Sequence, residues 1–337
     1  MPITIYITRD FDQMSFVAAE IVESAISRQQ AGPGEYVLGL PTGNSPTGLY
    51  KHLAKAFNAG RIDASRVRSF NLDEYVGLPG ENAQQRAIHK EAYGYFMISE
   101  LFSLLRTKFI ETNVPSGAVV DQVELNKALE TQTHEFALVG TGKGQSVEIS
   151  DDATGVLGDI KRTILDAYAA KIRGLGGIDL QIIGVGGRGH VAFHESGIPF
   201  DTSDVLLVKL DDNTVANAVA DGHFATFDDS PQFATSMGAR LVFEAKSLLL
   251  IGNGSRKVSP LTEALLGPVT SDVPLSLAQE YTGQQTWVLD EAAAAGLLEQ
   301  AEALAARGHV LVDLRGQEYP SVESITFARS ATSGHVE

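Results

Sequence analysis

The sequence predicts an α/β fold in which a mostly parallel sheet has helices on both faces. Short apolar runs alternate along the chain with longer segments whose apolar residues recur at helical spacing. The short runs are apolar on both faces, which is typical of parallel strands covered on both sides.

The strands are predicted, in chain order, at "ITIYIT", "YVLGL", "VRSFNL", "LQIIGV", "VLLVKL", "SLLLIG" and "TWVLD". The segment after the first strand shows the helical spacing, with apolar side chains at Phe16, Val17, Ile21, Val22 and Ile26. In open parallel sheets, ligands bind beyond the carboxyl ends of the strands. The loops that follow the strands are therefore the expected place for a site.

Composition excludes several classes of protein. The chain has 337 residues, of which 44% are hydrophobic and 20% charged, and we interpret it as one elaborated globular domain. The net charge of −16 repels a phosphate backbone, so no nucleic-acid partner is expected. There is no cysteine for a disulfide or a cysteine metal site. No apolar run approaches the roughly 20 residues that span a bilayer and no signal peptide is recognisable, so we expect a cytoplasmic protein without a membrane partner.

The second predicted strand ends in "PTGNSPTGLY", a turn of glycines and hydroxyl side chains that leads into a helix. Backbone N–H groups and the positive end of the helix converge there, which favours an anion site. An ordinary Pro/Gly turn is the alternative. The stretch is not a Walker P-loop, and neither is "GTGKGQ" at 140–145, which we interpret as a hairpin tip.

The third strand ends in "FNLDEYVGLP", which presents Asp73 and Glu74 side by side. Neighbouring side chains of an extended chain point to opposite faces, so only one of the two acids can face a pocket. Two solvated acids at the start of a loop are the alternative.

The fourth strand runs into "GVGGRGHVAFHESG", where several glycines permit a sharp turn and close approach to a ligand. His190 follows them, with Arg188 before it and Glu195 after it. By itself such a histidine is more often structural than catalytic.

These stretches together resemble the glucosamine-6-phosphate deaminase (isomerase) family, which shares a superfamily with the 6-phosphogluconolactonases. The similar motifs are "LGLPTGNSPTGLY", "FNLDEYVGL", "GHVAFHE", "DNTVANAV", "GSRK" and "TWVLDEAA", in order, over about residues 1–115 and 160–300. The resemblance implies a modified Rossmann-like fold, in agreement with the predicted sheet.

The resemblance also implies chemistry: ring opening of an amino-sugar phosphate, proton transfer between carbons, and release of ammonia to leave fructose-6-phosphate. It needs neither a metal nor a cofactor. Asp73 matches the base for the carbon proton, His190 the ring-opening acid and base, and Glu195 the carboxylate that orients this imidazole. The expected phosphate ligands are Lys257 and the loop residues Thr42, Gly43, Asn44, Ser45 and Thr47.

Three departures from the family pattern stand out. Arg188 occupies a position that is usually an aspartate, Val219 replaces a phosphate-binding arginine, and His194 replaces an asparagine found in many members. Because arginine grips phosphate and carboxylate groups well, we expect Arg188 to bind an anionic group of the substrate and to shift the preferred sugar. The alternative is that Arg188 points to solvent.

Two segments exceed the family pattern. One is an insertion at about 117–158, with a predicted hairpin at "FALVGTGKGQSVEIS", and the other is a C-terminal extension at about 305–337 that contains "HVLVDLR" and "SITFARS". Solvated additions, lids and subunit contacts are the possible interpretations, and we expect a homo-oligomer.

Three functions remain open at this point. "FNLDEYVGL" favours an amino-sugar-phosphate deaminase or isomerase, because Asp-Glu-Tyr is the deaminase form of this strand end. A 6-phosphogluconolactonase-like hydrolase needs a water-activating histidine but no carbon base, and Tyr75 counts against it. The changes at Arg188 and Val219 leave room for a sugar-phosphate-binding protein of weak or no activity.

Overall fold

The computed structural model describes residues 2–142, 144–220 and 222–327. Over these residues the strands are β1 Thr4–Thr8, β2 Tyr36–Leu40, β3 Val67–Asn71, β4 Asp73–Val76, β5 Glu111–Asn113, β6 Phe136–Val139, β7 Gln145–Ile149, β8 Leu180–Ile183, β9 Val205–Lys209, β10 Phe233–Met237, β11 Ser247–Gly252, β12 Gln284–Asp290 and β13 Val310–Asp313.

The α-helices are α1 Phe11–Gln30, α2 Thr47–Asn58, α3 Ala83–Ala87, α4 Tyr93–Glu100, α5 Gln122–Thr131, α6 Gly155–Asp159, α7 Ala167–Gly174, α8 Asp212–Ala220, α9 Ala239–Val242, α10 Val258–Leu266, α11 Glu291–Glu299 and α12 Ala301–Ala306. A π-helical segment, Ile160–Asp166, joins α6 to α7.

The larger sheet confirms the predicted fold class. In the described part of the chain it has eight strands in the order β13-β1-β12-β11-β8-β2-β3-β5, and every neighbouring pair is parallel. Alternate residues of β11 show that both faces are covered. Leu248 and Leu250 pack into the core that contains Leu297 of α11, whereas Leu249 and Ile251 pack into the core that contains Leu53 of α2.

A second, antiparallel sheet was not predicted. Its strand order is β4-β10-β9-β7-β6 over the described residues. The run "VLLVKL", predicted as a strand of the parallel sheet, forms β9 of this second sheet. Buried residues fill β9 on both faces, so its composition does not distinguish it from a parallel strand.

Leu72 joins the two sheets. It is the one residue between β3, in the parallel sheet, and β4, in the antiparallel sheet. Its N–H donates to the carbonyl of Leu40 at the end of β2 (3.3 Å), and its carbonyl accepts from the N–H of Met237 at the end of β10 (2.8 Å). The chain therefore passes from one sheet to the other without a loop, and Asp73, the first residue of β4, lies at that junction.

The insertion and the extension both add strands. In the insertion, β6 and β7 pair antiparallel at the edge of the second sheet, as the hairpin prediction requires. In the extension, "HVLVDLR" forms β13, which pairs with β1 at the edge of the parallel sheet. The predicted segment "SITFARS" lies partly outside the described residues. The interpretation of residues 1–337 as one domain stays a prediction.

Among the helices of the described residues, none has both the length and the apolar character that crossing a bilayer requires.

Gly39 gives a test of the packing at the centre of the parallel sheet. A Cβ atom at this position would lie 2.1 Å from Oε1 of Gln181, a fully buried side chain of β8. We expect Gly39→Ala to lower the free energy of unfolding by about 1–3 kcal/mol, because the crowded amide has no open space to enter. Denaturant unfolding measures this value.

Gly32→Ala is the matched control. The nearest atom to a Cβ there is 3.6 Å away, an ordinary contact, so we expect a change within about 0.5 kcal/mol. Equal losses in the two variants would contradict the close packing of Gly39 on Gln181.

Candidate active site

A cavity of about 220 Å³ lies beyond the carboxyl ends of β2, β3, β8 and β11. This is the edge at which ligands are expected in an open parallel sheet. The loops that follow these four strands supply most of its wall, which consists of Pro41, Thr42, Gly43, Asn44, Ser45, Pro46, Leu72, Asp73, Tyr93, Gly184, Val185, Gly186, His190, Ala192, Phe193 and Lys257.

The loop after β2 forms one end of the cavity, directly before α2. Gly43 has a φ of 89°, in the left-handed region that favours glycine. The hydroxyl of Ser45 donates to Oδ1 of Asn253 in the loop after β11 (2.7 Å), and the ammonium group of Lys257 donates to the carbonyl of Val185 (2.6 Å). Thr47 begins α2 and donates to the carbonyl of Asn44 (2.9 Å). Hydroxyls, a helix N-terminus and a cation thus meet at this end, as an anion site requires.

Asp73 faces the cavity, and its side chain is buried. Its Oδ1 atom has no hydrogen-bond partner among the described residues. Burial, followed by the nearby charge of Glu74, raises the pKa of the Asp73 carboxyl well above its usual range. A carboxylate held in this way binds a proton strongly, which suits a base.

Glu74 points away from the cavity and caps α4. Its carboxylate accepts three backbone hydrogen bonds, from the N–H groups of Tyr75 (2.8 Å), Tyr93 (2.9 Å) and Gly94 (2.9 Å). Burial raises the pKa of Glu74 to about 7, although these three N–H groups favour the charged form. The prediction that only one of the two acids faces a pocket is confirmed. The alternative of two solvated acids is wrong, because both carboxyl groups are buried.

The cap on α4 fixes an aromatic wall. Tyr93, the first residue of α4, lines the cavity and stacks on Phe193 with ring centres 5.8 Å apart and planes 5° apart. Tyr75 packs against both rings, at 5.0 Å from Tyr93 and 5.4 Å from Phe193. Sequence reasoning missed Tyr93 because it lies in no recognised motif. The hydrogen bond from its N–H to the carboxylate of Glu74 holds it beside the cavity.

The glycine-rich turn after β8 lets His190 fold back onto its own loop. A Cβ atom at Gly186 would lie 1.7 Å from Nε2 of His190, so only glycine leaves room for the ring. The N–H of Gly186 donates to the carbonyl of His190 (3.1 Å), and Gly189 has a φ of 74°. Ala192 has a φ of 53°, uncommon for a residue with a side chain, and it also lines the cavity.

His190 and Glu195 are partners. Nδ1 of His190 lies 3.4 Å from Oε2 of Glu195, whose side chain is 3% exposed. The hydroxyl of Thr214 in α8 donates to the other carboxylate oxygen, Oε1 (2.6 Å). Burial alone would raise the pKa of Glu195, but the contact with His190 and the hydrogen bond from Thr214 outweigh it and lower the pKa. The acid is therefore ionised beside the imidazole.

Arg188 lies beside the cavity without lining it. Its Nη1 atom lies 2.9 Å from Oδ2 of Asp211, whose side chain is 7% exposed against 41% for Arg188. Asp211 also accepts from the N–H of Asn213 at the start of α8 (2.8 Å). Asp211 is therefore a buried counter-charge for Arg188.

His194 is part of the protein core. The N–H of Ala239 donates to its Nδ1 (3.1 Å), so the proton is on Nε2, which donates to the carbonyl of Ile198 (3.0 Å). Burial lowers the pKa of His194 to about 4, even though the Ile198 carbonyl and the charge of Glu195 act in the opposite direction. The ring is neutral and holds the chain that follows the catalytic loop.

The structure brings most of the predicted site residues to one cavity. Those that line it are Asp73, His190, Lys257, Thr42, Gly43, Asn44 and Ser45. Glu195, Thr47 and Arg188 do not line the cavity. Val219 is a half-buried residue of α8 that packs against the aromatic cluster of Tyr75. Thr214, Asp211 and Asn253 lie in or beside the quoted motifs but were not predicted as site residues, because only the folded chain brings them to Glu195, Arg188 and Ser45, respectively. The described residues contain no group of three or more side chains that could hold a metal, and the absence of metal and cofactor stays a prediction.

Curated relatives were found by comparison, although no protein-family model matches the chain. A glucosamine-6-phosphate deaminase of Clostridium perfringens is 31% identical over 275 residues, 82% of this chain and 92% of that protein. One of Clostridium acetobutylicum is 32% identical over 286 residues, 85% and 96% of the two chains. Glucosamine-6-phosphate deaminase 2 of Bacillus subtilis is 30% identical over 280 residues, 82% and 91%.

Solved structures confirm the fold. A monomeric glucosamine-6-phosphate deaminase superposes with a TM-score of 0.65 at 22% identity, covering 87% of this chain and 99% of the other. The 6-phosphogluconolactonase from Trypanosoma brucei gives 0.59 at 15% identity, covering 88% and 99%. The first of these proteins is described as monomeric, whereas the homo-oligomer expected here stays a prediction, as does the cytoplasmic location.

The pair of Arg188 and Asp211 predicts a stability effect. We expect Arg188→Ala to lower the free energy of unfolding by about 1–3 kcal/mol, because it leaves the buried carboxylate of Asp211 without its counter-charge. Arg240→Ala is the matched control, since Arg240 pairs with Asp201 at 2.8 Å on the surface, with side chains 54% and 87% exposed. The control should change stability by less than about 1 kcal/mol. Denaturant unfolding of both variants decides, and similar values would contradict the role given to Asp211.

His194 predicts a pH effect. Its pKa is about 4 in the folded chain and 6.5 by itself, so the unfolded chain takes up a proton that the folded chain refuses. The stability contributed by the neutral ring is present above about pH 6.5 and is lost as the pH falls towards 4. We expect the stability difference between the wild type and His194→Gln to shrink by about 2–3 kcal/mol between pH 7 and pH 4.5. Unfolding curves at several pH values measure this, and a constant difference would be inconsistent with a neutral buried ring.

Proposed function

The chain belongs to the glucosamine-6-phosphate deaminase family, and we propose that it is an enzyme that deaminates and isomerises an amino-sugar phosphate resembling glucosamine-6-phosphate. The products are a ketose phosphate such as fructose-6-phosphate and ammonia, and one water is consumed. The relatives are named for this activity, and the site of this chain supports it.

The observation that carries the proposal is the state of Asp73. It is the buried carboxyl of a residue that lines the cavity, and one of its oxygens, Oδ1, has no hydrogen-bond partner among the described residues. Leaving a buried oxygen unpaired is costly, so a substrate group that donates a hydrogen bond to it would be stabilising. A base that removes a carbon proton needs a carboxyl group at the cavity with a high affinity for a proton, and burial gives Asp73 that affinity.

His190 and Glu195 supply the second function, ring opening. An imidazole at the cavity wall can deliver a proton to the ring oxygen and take one from the neighbouring hydroxyl. Glu195, ionised and fixed by Thr214, orients the ring and stabilises its protonated form. The substrate therefore lies between this pair and Asp73.

The phosphate of the substrate binds at the other end of the cavity. Backbone N–H groups of the loop from Gly43 to Thr47, the hydroxyls of Thr42 and Ser45, and the ammonium group of Lys257 are the proposed ligands. Since Val219 replaces the family's arginine, this end has one cation fewer than the family pattern.

Arg188 can supply the missing charge only if it exchanges partners. Its guanidinium is held by Asp211 at 2.9 Å, so gripping an anionic group of the substrate costs this ion pair. We propose that Arg188 binds such a group when the substrate carries one within reach, and otherwise holds the loop to α8. The test compares the affinities of the wild type and Arg188→Ala for a series of hexose and hexosamine phosphates. If Arg188 binds the substrate directly, the loss of affinity in the variant should differ from sugar to sugar.

Two alternatives from the sequence are not favoured by any specific observation. A lactone hydrolase needs no carbon base, so it gives no reason to bury Asp73 with an unpaired oxygen. A protein that only binds a sugar phosphate gives no reason to hold an ionised Glu195 against His190.

Asp73→Asn tests the proposal. The substitution keeps the shape of the side chain and removes the base, so we expect kcat for ammonia release from glucosamine-6-phosphate to fall at least about a hundredfold, with little change in KM. Because the folded chain disfavours the ionised form of Asp73, Tm should stay the same or rise.

Glu74→Gln is the matched control. It removes a charge from an equally buried neighbour, but it weakens the cap on α4, so Tm should fall while kcat falls less than in Asp73→Asn. A wild-type enzyme that releases no ammonia from any hexosamine phosphate, or an Asp73→Asn variant with near-normal turnover, would overturn the proposed reaction.

A further inference from the structure

We propose that the inserted hairpin of β6 and β7 is a positioning element for the pair of His190 and Glu195, and that it acts through Gly144. The effect on catalysis rests on the proposed function, whereas the contact between Gly144 and Glu195 does not. The hairpin lies in the segment that exceeds the family pattern, so this chain supports its catalytic loop with an element of its own.

The first step is the contact between Gly144 and Glu195. A Cβ atom at position 144 would lie 2.4 Å from Cβ and 2.7 Å from Cγ of Glu195. The hairpin backbone therefore lies directly on the aliphatic part of this side chain. The φ of Gly144 is outside the left-handed region, so the space it leaves, and not its conformation, is what requires glycine here.

A second contact joins Gly197, two residues after Glu195, to Thr141, three residues before Gly144. A Cβ atom at Gly197 would lie 2.1 Å from the hydroxyl oxygen of Thr141. On its other side this segment is tied to a separate loop, because the N–H of Gly197 donates to the carbonyl of Ser271 and the hydroxyl of Ser196 to that of Asp272, both at 2.8 Å. The segment that carries Glu195 is thus held between the hairpin and this loop.

The hairpin is anchored firmly enough to act as a support. Ser146 of β7 pairs with Val208 of β9, and the carboxylate of Glu148 accepts from the N–H (3.1 Å) and the hydroxyl (2.7 Å) of Ser203. The same strand β9 leads to α8, which carries Thr214. Both contacts of Glu195 therefore lead back to β9. Gly144, directly before the paired strand β7, contacts its aliphatic part, and Thr214, in the helix that follows β9, donates to its carboxylate.

This arrangement fixes where the carboxylate points. With Oε1 taken by Thr214 and the aliphatic part against Gly144, Oε2 is left to face Nδ1 of His190. A side chain at position 144 must move either Glu195 or the hairpin, because the Cβ of Glu195 is fixed to its backbone. Either movement lengthens the contact of the carboxylate with the imidazole.

The experiment compares Gly144→Ala with Gly174→Ala, the control at the end of α7. A Cβ at Gly174 would meet no atom within 4 Å, and its φ is also outside the left-handed region. The readout is the pH titration of the His190 imidazole followed by NMR, with its signals assigned through His190→Gln. We expect the midpoint in Gly144→Ala to differ from that of the wild type, because the contact of the ring with the Glu195 carboxylate lengthens, and to stay unchanged in Gly174→Ala.

Kinetics add a second readout. In Gly144→Ala we expect kcat to fall about tenfold with little change in KM, and the pH optimum to move with the titration midpoint. In a Glu195→Gln background the same change should have no further effect on the pH profile, because the two residues act as one unit. If Gly144→Ala does not fold, Thr141→Ala, which removes the contact with Gly197, should give a smaller shift in the same direction.

The outcomes separate this inference from the proposed function. A folded Gly144→Ala with an unmoved His190 titration overturns the positioning role, whatever the enzyme does. The positioning role is also overturned if Gly144→Ala changes the pH profile as much in the Glu195→Gln background as it does in the wild type. A shifted titration in a protein that releases no ammonia supports the positioning role and refutes the deaminase reaction alone.

Discussion

The site depends on the two backbone hydrogen bonds of Leu72. Its N–H is bonded to the parallel sheet and its carbonyl to the antiparallel sheet, so the two sheets meet at a fixed angle and distance at this residue. Asp73 follows immediately and cannot avoid burial. The loop after β8 meets β10 beside the same junction, because the N–H of Phe193 donates to the hydroxyl of Ser236 (3.0 Å), the residue that pairs with Asp73, and this brings His190 to the same cavity as Asp73.

The two acids at this junction show how burial can serve structure or chemistry. Glu74 satisfies its carboxylate with three backbone N–H groups and in return fixes α4 and the aromatic wall. Asp73 has equal burial but leaves an oxygen unpaired within the described chain. The hydrogen bonds of Glu74 give it a structural role, whereas the unpaired oxygen of Asp73 leaves its carboxyl able to accept a hydrogen bond from a bound molecule, as the proposed function requires.

The strands of the parallel sheet and most of the cavity residues could be predicted, because continuous apolar runs and glycine turns at strand ends are local signals. The antiparallel sheet could not, since β9 is as apolar as a parallel strand and β4 is hidden in the motif of Asp73. Contacts between distant residues were equally out of reach. Nothing near Asp211 in sequence points to Arg188, and Thr214 and Gly144 contact Glu195 only in the folded chain.

The position of β1 has a consequence for the making of the protein. β1 is synthesised before the other described strands, yet in the sheet it lies between β12 and β13, and these partners, Gln284–Asp290 and Val310–Asp313, are the last two of the described strands to be made. Its backbone N–H and C=O groups stay without these partners until both strands have been synthesised. Such long-range pairing makes folding slow and leaves an exposed strand that can associate with other chains. The parallel sheet can therefore be completed around β1 only after β12 and β13 have been made.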